Sequence, residues 1–176
     1  RYSGFQSTES YNRFFGDGRT LGYGMAVNGL EAVEQRATRL FVRYVEPASP
    51  AAAAGIVRGD EVISLNNQAA SALIAADNFE VLTPAAAGNQ LTAVVRNAQG
   101  TQRTVPLTAT EYSLTPVQNN KLVASPGGRL MGYVVVKDMI DQANAPLATA
   151  MQGFIDQGAR EIVLDLRYNG GGFVRA

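Results

Sequence analysis

A glycine-rich turn directly after a short apolar run is the feature that most constrains this chain. Residues 162–166 are almost continuously apolar, which is typical of a strand covered on both faces of a sheet. Asp165 interrupts the run and Arg167 follows two positions later, so both side chains are predicted to point the same way. Residues 169–172 read Asn-Gly-Gly-Gly, a turn that tolerates positive φ and close approach of a ligand to the backbone. The combination predicts a polar anchor beside backbone N–H groups suited to an anion. An ordinary strand and loop is the alternative.

Composition excludes several classes of chemistry. The 176 residues include no cysteine and no histidine, which rules out disulfides, thiolate metal sites and any histidine-based catalytic triad within the chain. We therefore expect no metal and no cofactor. Lys+Arg and Asp+Glu number 15 each, so nothing favours nucleic acid as a partner. No apolar run is long enough to span a membrane. The chain starts at Arg1 without a methionine or a leader, and so reads as a processed or excised piece.

The first two thirds of the chain predict a small mixed domain. Residues 1–18 form an aromatic arm, interpreted as packing only, with a short helix capped by Ser7 or Thr8. Ser49 followed by Pro50 predicts a short helix, and residues 58–60, Arg-Gly-Asp, predict a tight turn. The same tripeptide occurs in integrin ligands, but the turn is sufficient reason for it. Further along, the pattern predicts strands at 40–45, 62–66, 90–97 and 102–108 and a helix at 71–83.

The last third predicts a separate unit. Residues 111–128 contain prolines and paired glycines and are interpreted as a connector. A strand at 129–137, a helix with apolar residues at 143–155 and the strand at 162–166 then form a parallel crossover, the start of an α/β domain. Lys121 falls in the connector, and Lys137 is interpreted as a solvated charge at a strand end. A phosphate site at the three glycines lacks the Lys-Ser/Thr that such loops require.

Two segments resemble one enzyme family. Residues 164–172 resemble the Asp-Leu-Arg-x-Asn-x-Gly-Gly signature of the tail-specific, or C-terminal processing, serine peptidases, with Gly170 where proline is common. Residues 45–66 resemble the core of the PDZ domain that these bacterial proteases carry. The resemblance implies an α+β PDZ-like β-barrel or sandwich over 19–110, followed by an incomplete α/β peptidase fragment over 129–176.

The resemblance also implies which residues carry function. The PDZ loop that receives a C-terminal carboxylate would be Tyr23-Gly24-Met25, or Leu21-Gly22-Tyr23. Met25 and Val27 with Leu73 and Ile74 would form an apolar pocket for the last side chain of the peptide. Gly171, or else Gly172, would donate its N–H to the oxyanion hole. Asp165, Arg167 and Asn169 would form the scaffold of that turn.

The family's Ser–Lys dyad is expected beyond this chain, so we expect the chain alone to be inactive. The implied partners are C-termini of protein substrates, and the implied location is the bacterial cell envelope, most simply the periplasm. A non-catalytic PDZ module that tethers partner C-termini is the alternative function.

Overall fold

The computed structural model describes residues 7–27 and 39–173. It divides into two compact units, Thr20–Ser113 and a second one made of Arg1–Arg19 with Leu114–Ala176. No helix within the described ranges is both long and apolar enough to cross a bilayer. The predicted loop or helical turn at residues 31–38 lies outside the described residues.

The unit Thr20–Ser113 is built on an open sheet. Its strands run in the order β2-β3-β4-β6-β7, with β5 paired to β4, and β1 and β8 form a separate two-stranded sheet. Strands β2 and β7 are the two edges of this sheet and do not pair with each other, so no closed barrel forms among the described residues. The predicted barrel is therefore wrong, and the sheet is open. The strands are β1 Arg19–Gly22, β2 Met25–Val27, β3 Leu40–Val45, β4 Glu61–Leu65, β5 Gln68–Ala69, β6 Gln90–Arg96, β7 Gln102–Thr108 and β8 Thr110–Ser113.

Two short helices complete this unit. Helix α2, Pro50–Ala53, begins as predicted, since the Ser49 hydroxyl accepts the Ala52 N–H at 3.3 Å. Helix α3, Ala70–Ala76, is shorter than the predicted 71–83 because Asp77 adopts a left-handed conformation that ends it. A 3-10 turn, Glu80–Leu82, follows. The core contains fully buried aliphatic side chains from every long strand, among them Val27, Leu40, Val42, Val62, Leu65, Leu91 and Leu107.

The second unit contains the predicted parallel crossover. Strands β10, Leu130–Val136, and β11, Glu161–Asp165, pair in parallel, and helix α4, Asn144–Asp156, connects them after a 3-10 turn at Asp141–Ala143. Strand β9, Val117–Ala124, pairs antiparallel with β10. This part of the predicted connector is therefore a strand of the sheet. The aromatic arm forms helix α1, Thr8–Tyr11, capped by Ser7 and continued as a π-helical turn over Asn12–Gly16.

The apolar strand at 161–165 is not covered on both faces. Helix α4 packs over the central strand, where a Cβ on Gly132 would lie only 2.3 Å from the Phe154 ring. Strand β11 is the edge of the three-stranded sheet, and Ile162, Val163 and Leu164 are 43–48% exposed. The prediction that both faces of this strand are buried is therefore wrong for this structure. The strand lies at the edge of the sheet, and helix α4 packs on the neighbouring central strand.

Candidate functional site

The glycine turn is anchored by a buried carboxylate at the end of β11. Asp165 is 7% exposed and accepts the Tyr133 hydroxyl at 2.5 Å. Its two oxygens also accept the Arg167 Nε at 2.9 and 3.0 Å, and Oδ1 accepts the Arg167 backbone N–H at 3.0 Å. The predicted pairing of Asp165 with Arg167 is thus present. Tyr133 was not predicted from the sequence, because it reaches the carboxylate through the parallel pairing of β10 with β11.

These contacts strongly favour the ionised carboxylate. The hydrogen bonds from Arg167 and then from Tyr133 hold the pKa of Asp165 well below its usual range, against a smaller opposing effect of burial. The same contacts raise the pKa of Arg167. Asp165 is therefore ionised at neutral pH and paired with partners inside the same unit.

The turn after Asp165 is tied back to the end of β10. Asn169 donates from Nδ2 to the Val136 carbonyl at 3.1 Å and accepts the Gly171 N–H at Oδ1, at 2.8 Å. The Gly170 N–H donates to the Lys137 carbonyl at 3.3 Å. One asparagine side chain therefore connects the strand end to the turn.

The two remaining glycines differ in what they can do. Gly171 and Gly172 both have positive φ, +92° and +137°. A Cβ on Gly172 would lie 2.1 Å from the Met139 carbonyl oxygen, so only glycine fits there. The Gly171 N–H is occupied by Asn169, whereas the Gly172 N–H donates to no partner within residues 7–27 and 39–173. Of the two predicted donors, Gly172 is the one available in this conformation.

Lys137 lies beside this turn and is not solvated. It is only 3% exposed and forms an ion pair with Asp138, while its backbone N–H donates to the Pro116 carbonyl at 2.7 Å. The prediction of a solvated strand-end charge is wrong, because β9 and the chain before it enclose the end of β10. Lys121 belongs to β9, where its Nζ lies 5.3 Å from the centre of the Tyr133 ring.

A second candidate site lies at the edge strand of the other unit. Strand β2 is the terminal strand of its sheet among the described residues, and backbone hydrogen bonds connect the segment before it to the chain around helix α2. The carbonyl of Tyr23 accepts the Ala51 N–H at 2.9 Å and that of Gly24 accepts the Glu46 N–H at 2.8 Å. A Cβ on Gly24, whose φ is +85°, would lie 1.9 Å from the Ser49 Cβ. Of the two predicted loops, Tyr23-Gly24-Met25 leads into the edge strand, whereas Leu21 and Gly22 belong to β1.

A cleft of about 500 Å³ runs along this edge strand. One wall contains β2 and the other contains the chain after helix α3, with Phe79 and Leu82 as its apolar members. Leu73 and Ile74 are 2% and 8% exposed, belong to the core and do not line the cleft. Of the four residues predicted to form one pocket, Met25 and Val27 line this cleft, whereas Leu73 and Ile74 do not. The lining residues are Met25, Ala26, Val27, Arg43, Tyr44, Asp77, Phe79, Glu80, Leu82 and Thr83.

No group of three acidic residues that could hold a metal ion occurs in the described ranges, and the sequence has no histidine or cysteine.

Two parts of the chain match known protein families. Residues 15–96 match the PDZ domain family, and residues 130–176 match peptidase family S41. Carboxyl-terminal-processing peptidase 3, chloroplastic, of Arabidopsis thaliana is 28% identical over 172 residues, which cover 93% of this chain and 32% of that protein. The carboxyl-terminal-processing protease of a Picosynechococcus species is also 28% identical, covering 90% of this chain and 37% of that protein.

Solved structures show the same fold. A photosystem II D1 C-terminal processing protease superposes with a TM-score of 0.56 at 24% identity, covering 89% of this chain and 42% of that one. A Bacteroides fragilis protein assigned to the S41 proteases superposes with a TM-score of 0.58 at 26% identity, covering 96% and 49%. The chain spans about a third of the length of the curated relatives it matches. The chain therefore combines a match to the PDZ family with a match to peptidase family S41, and it is similar to carboxyl-terminal-processing peptidases over most of its length.

Proposed function

We propose that this chain is the substrate-recognition part, and one section of the peptidase domain, of a serine endopeptidase. Its PDZ domain binds the C-terminal tails of protein substrates, and a Ser–Lys dyad outside these 176 residues cleaves them. The observation that carries the proposal is that one chain combines an edge-strand cleft with a glycine turn whose Gly172 N–H has no acceptor within residues 7–27 and 39–173.

The cleft supports tail binding through its geometry. An extended peptide adds to an exposed sheet edge through main-chain hydrogen bonds, and side-chain pockets select its residues. Strand β2 offers such an edge, and the fixed loop Tyr23-Gly24-Met25 stands at its start, where a terminal carboxylate would meet backbone N–H groups. Met25, Val27, Phe79 and Leu82 favour a nonpolar last side chain.

The glycine turn supports a role in acyl transfer. A preorganised N–H group stabilises the negative oxygen of the tetrahedral intermediate because it need not reorganise during the reaction. We assign this role to Gly172, whose N–H is available. Gly171 would first have to release the Asn169 side chain. Asp165, Arg167 and Asn169 hold the turn and take no proton in the reaction.

Peptide binding by the purified chain tests the PDZ proposal. Fluorescent peptides with nonpolar C-termini should bind when the carboxylate is free and bind much more weakly when it is amidated. Phe79→Ala should weaken binding roughly three- to tenfold through lost apolar contact. The matched control is Val57→Ala, since Val57 is 56% exposed and does not line the cleft. Equal binding of free and amidated peptides would contradict the proposal.

Hydrolysis assays separate the peptidase from a tethering module. The chain alone should not cleave the peptides it binds, and hydrolysis by it would place the catalytic groups inside these 176 residues. A longer protein that carries this chain should cleave bound tails. If it binds tails without cleaving them, the chain belongs to a non-catalytic tethering module.

We also propose that the protein acts outside the cytoplasm, in the cell envelope of a bacterium, most simply the periplasm. The proposal rests on the family alone, and the Arabidopsis relative is described as chloroplastic. Fractionation of the source cells with an antibody against this chain tests it, and recovery in the cytoplasmic fraction would contradict it.

A further inference from the structure

A depression of about 250 Å³ lies beside the glycine turn. It is lined by Phe14, Phe15, Asp138 and the three glycines at 170–172. All of these residues belong to the same compact unit. Two aromatic rings from the N-terminal arm therefore face the turn that we assign to the oxyanion hole, although the sequence suggested only packing for this arm.

The two rings are held in place by neighbours on both sides. Phe15 contacts Tyr11, Phe14 and Phe173, with ring centres 4.7, 4.9 and 5.2 Å apart. The turn that ends the arm is anchored as well, because Gln142 Nε2 donates to the Gly16 carbonyl at 2.6 Å and the Leu114 N–H donates to the Gly18 carbonyl at 2.8 Å. The aromatic wall is therefore preorganised, which lowers the entropic cost of binding a side chain against it.

The charge in the depression is internally balanced. Asp138 is paired with the buried Lys137, so the two groups together add no net charge to the wall. A charged substrate side chain would lose its hydration on entering this partly enclosed space. The Lys137–Asp138 pair would not compensate for that loss, because each of its charges already has an opposite charge as a partner. The glycines add backbone only, so apolar contact comes from the two phenyl rings. An apolar cavity of roughly 150 Å³ already holds a benzene ring, so the depression has room for an aromatic side chain.

We propose that Phe14 and Phe15 form a specificity subsite that receives a nonpolar side chain of the substrate, aromatic or branched aliphatic, next to the bond being cleaved. The proposal rests on the proposed peptidase function, since it takes the Gly172 N–H as the point that holds the reacting carbonyl. It makes the N-terminal arm a determinant of which residue can be presented to that N–H. The arm and the cleft along β2 belong to different compact units and would each select a different part of the substrate.

Blocked peptides distinguish this subsite from the PDZ cleft. Acetyl-Ala-Phe-Ala-amide lacks a terminal carboxylate and is titrated into the isotope-labelled 176-residue chain, followed by NMR. We expect shifts at the amides of 170–172 and at the rings of Phe14 and Phe15, with β2 unaffected. Acetyl-Ala-Leu-Ala-amide should produce the same pattern. Acetyl-Ala-Asp-Ala-amide and acetyl-Ala-Lys-Ala-amide should bind at least roughly fivefold more weakly, given the apolar walls.

A pair of variants tests the role of the rings. Phe14→Ala should weaken binding of the phenylalanine peptide roughly three- to tenfold, and Phe14→Leu should recover most of it. Ile155→Ala is the matched control, because Ile155 belongs to the same compact unit, is 61% exposed and does not line the depression. Thermal unfolding of each variant confirms that it is folded.

Several results would overturn the proposal. These are shifts confined to β2, absence of shifts at 170–172 in the unmutated chain, or tighter binding of a charged peptide. None of them would affect binding of free C-termini in the cleft along β2, so failure of this subsite is distinguishable from failure of the proposed tail recognition.

Discussion

Tyr133 and Asp165 lie 32 positions apart in the sequence and are joined by a 2.5 Å hydrogen bond across two parallel strands. This bond connects the centre of the sheet to the start of the glycine turn. Asp165 in turn binds Arg167 through both carboxylate oxygens. The position of the proposed oxyanion donor therefore depends on a network that begins one strand away.

Removing the Tyr133 hydroxyl should destabilise the unit that carries the turn. Tyr133→Phe leaves the ring in place but deprives the buried, ionised Asp165 of one partner, and bonds to charged groups contribute about 1.5–3 kcal/mol. We expect the free energy of unfolding to fall by about 1–2 kcal/mol, because Arg167 still binds the carboxylate. Urea denaturation measures it, with Tyr11→Phe as the control on an exposed tyrosine. Equal losses in both variants would contradict a special role for Tyr133.

The stability supplied by Asp165 should disappear in acid. Its pKa in the folded chain lies below the value of about 3.9 that an aspartate has when unfolded. As the pH falls, Asp165 therefore takes up a proton at a lower pH in the folded state than in the unfolded state. Its stabilisation is fully present above the unfolded pKa and is lost as the pH falls towards the folded pKa. Wild type should exceed Asp165→Asn in stability at pH 7, and the gap should narrow steadily below about pH 4.

Denaturation curves of wild type and Asp165→Asn at several pH values check this expectation. Both chains contain the same other acidic groups, such as Glu61, whose pKa is lowered by Arg39. The difference in stability between the two chains therefore removes the contribution of those groups to the pH dependence. A gap that stays constant from pH 7 to pH 3 would show that the Asp165–Arg167 contact does not contribute through ionisation.

One added methyl group should have very different effects on stability at Gly172 and at Gly170. Gly172→Ala places a Cβ 2.1 Å from the Met139 carbonyl oxygen in a backbone of φ +137°, so the turn must move. We expect a loss of about 2 kcal/mol or more. Gly170→Ala is the control, because its Cβ meets nothing within 4 Å, and its effect should stay within about 0.5 kcal/mol. Thermal unfolding measures both, and similar losses would show that the contact at Met139 is unimportant.

Gly24 should be equally restrictive in the PDZ domain. Gly24→Ala would bring its Cβ to 1.9 Å from the Ser49 Cβ at a φ of +85°. The loop and the start of helix α2 must then separate, so binding of free C-termini should weaken by at least about tenfold. Gly16→Ala, which meets nothing within 4 Å, is the control. Fluorescence anisotropy gives both affinities, and unchanged binding by Gly24→Ala would mean that this loop does not receive the peptide terminus.

Leu73 illustrates a limit of inference from one sequence. Its spacing with Ile74 matched a helix beside a groove, but α3 turns this side into the core, and the chain after Asp77 supplies Phe79 and Leu82 to the cleft instead. A charged residue at Leu73 would therefore unfold the domain and would not report on the groove. Helical periodicity indicates an apolar face, but it cannot tell which neighbour covers that face.

The sequence by itself determined the features that depend on neighbours a few residues apart. Ser49 and Pro50 start a helix, Asp165 meets Arg167 two positions later, and the glycines permit a turn with positive φ, because such interactions follow from local backbone geometry. Only the tertiary structure decided which distant segments meet. The parallel pairing of β10 with β11 brought Tyr133 to Asp165 and left the apolar side chains of β11 exposed.

Enclosure of a strand end buried Lys137, and the docking of the N-terminal arm placed Phe14 and Phe15 beside the glycine turn. These arrangements bring together residues up to 158 positions apart, such as Phe14 and Gly172, and they depend on how whole sheets and helices pack. Periodicity and local propensity carry no information on that packing, which is why the scaffold of the site was predictable and its surroundings were not.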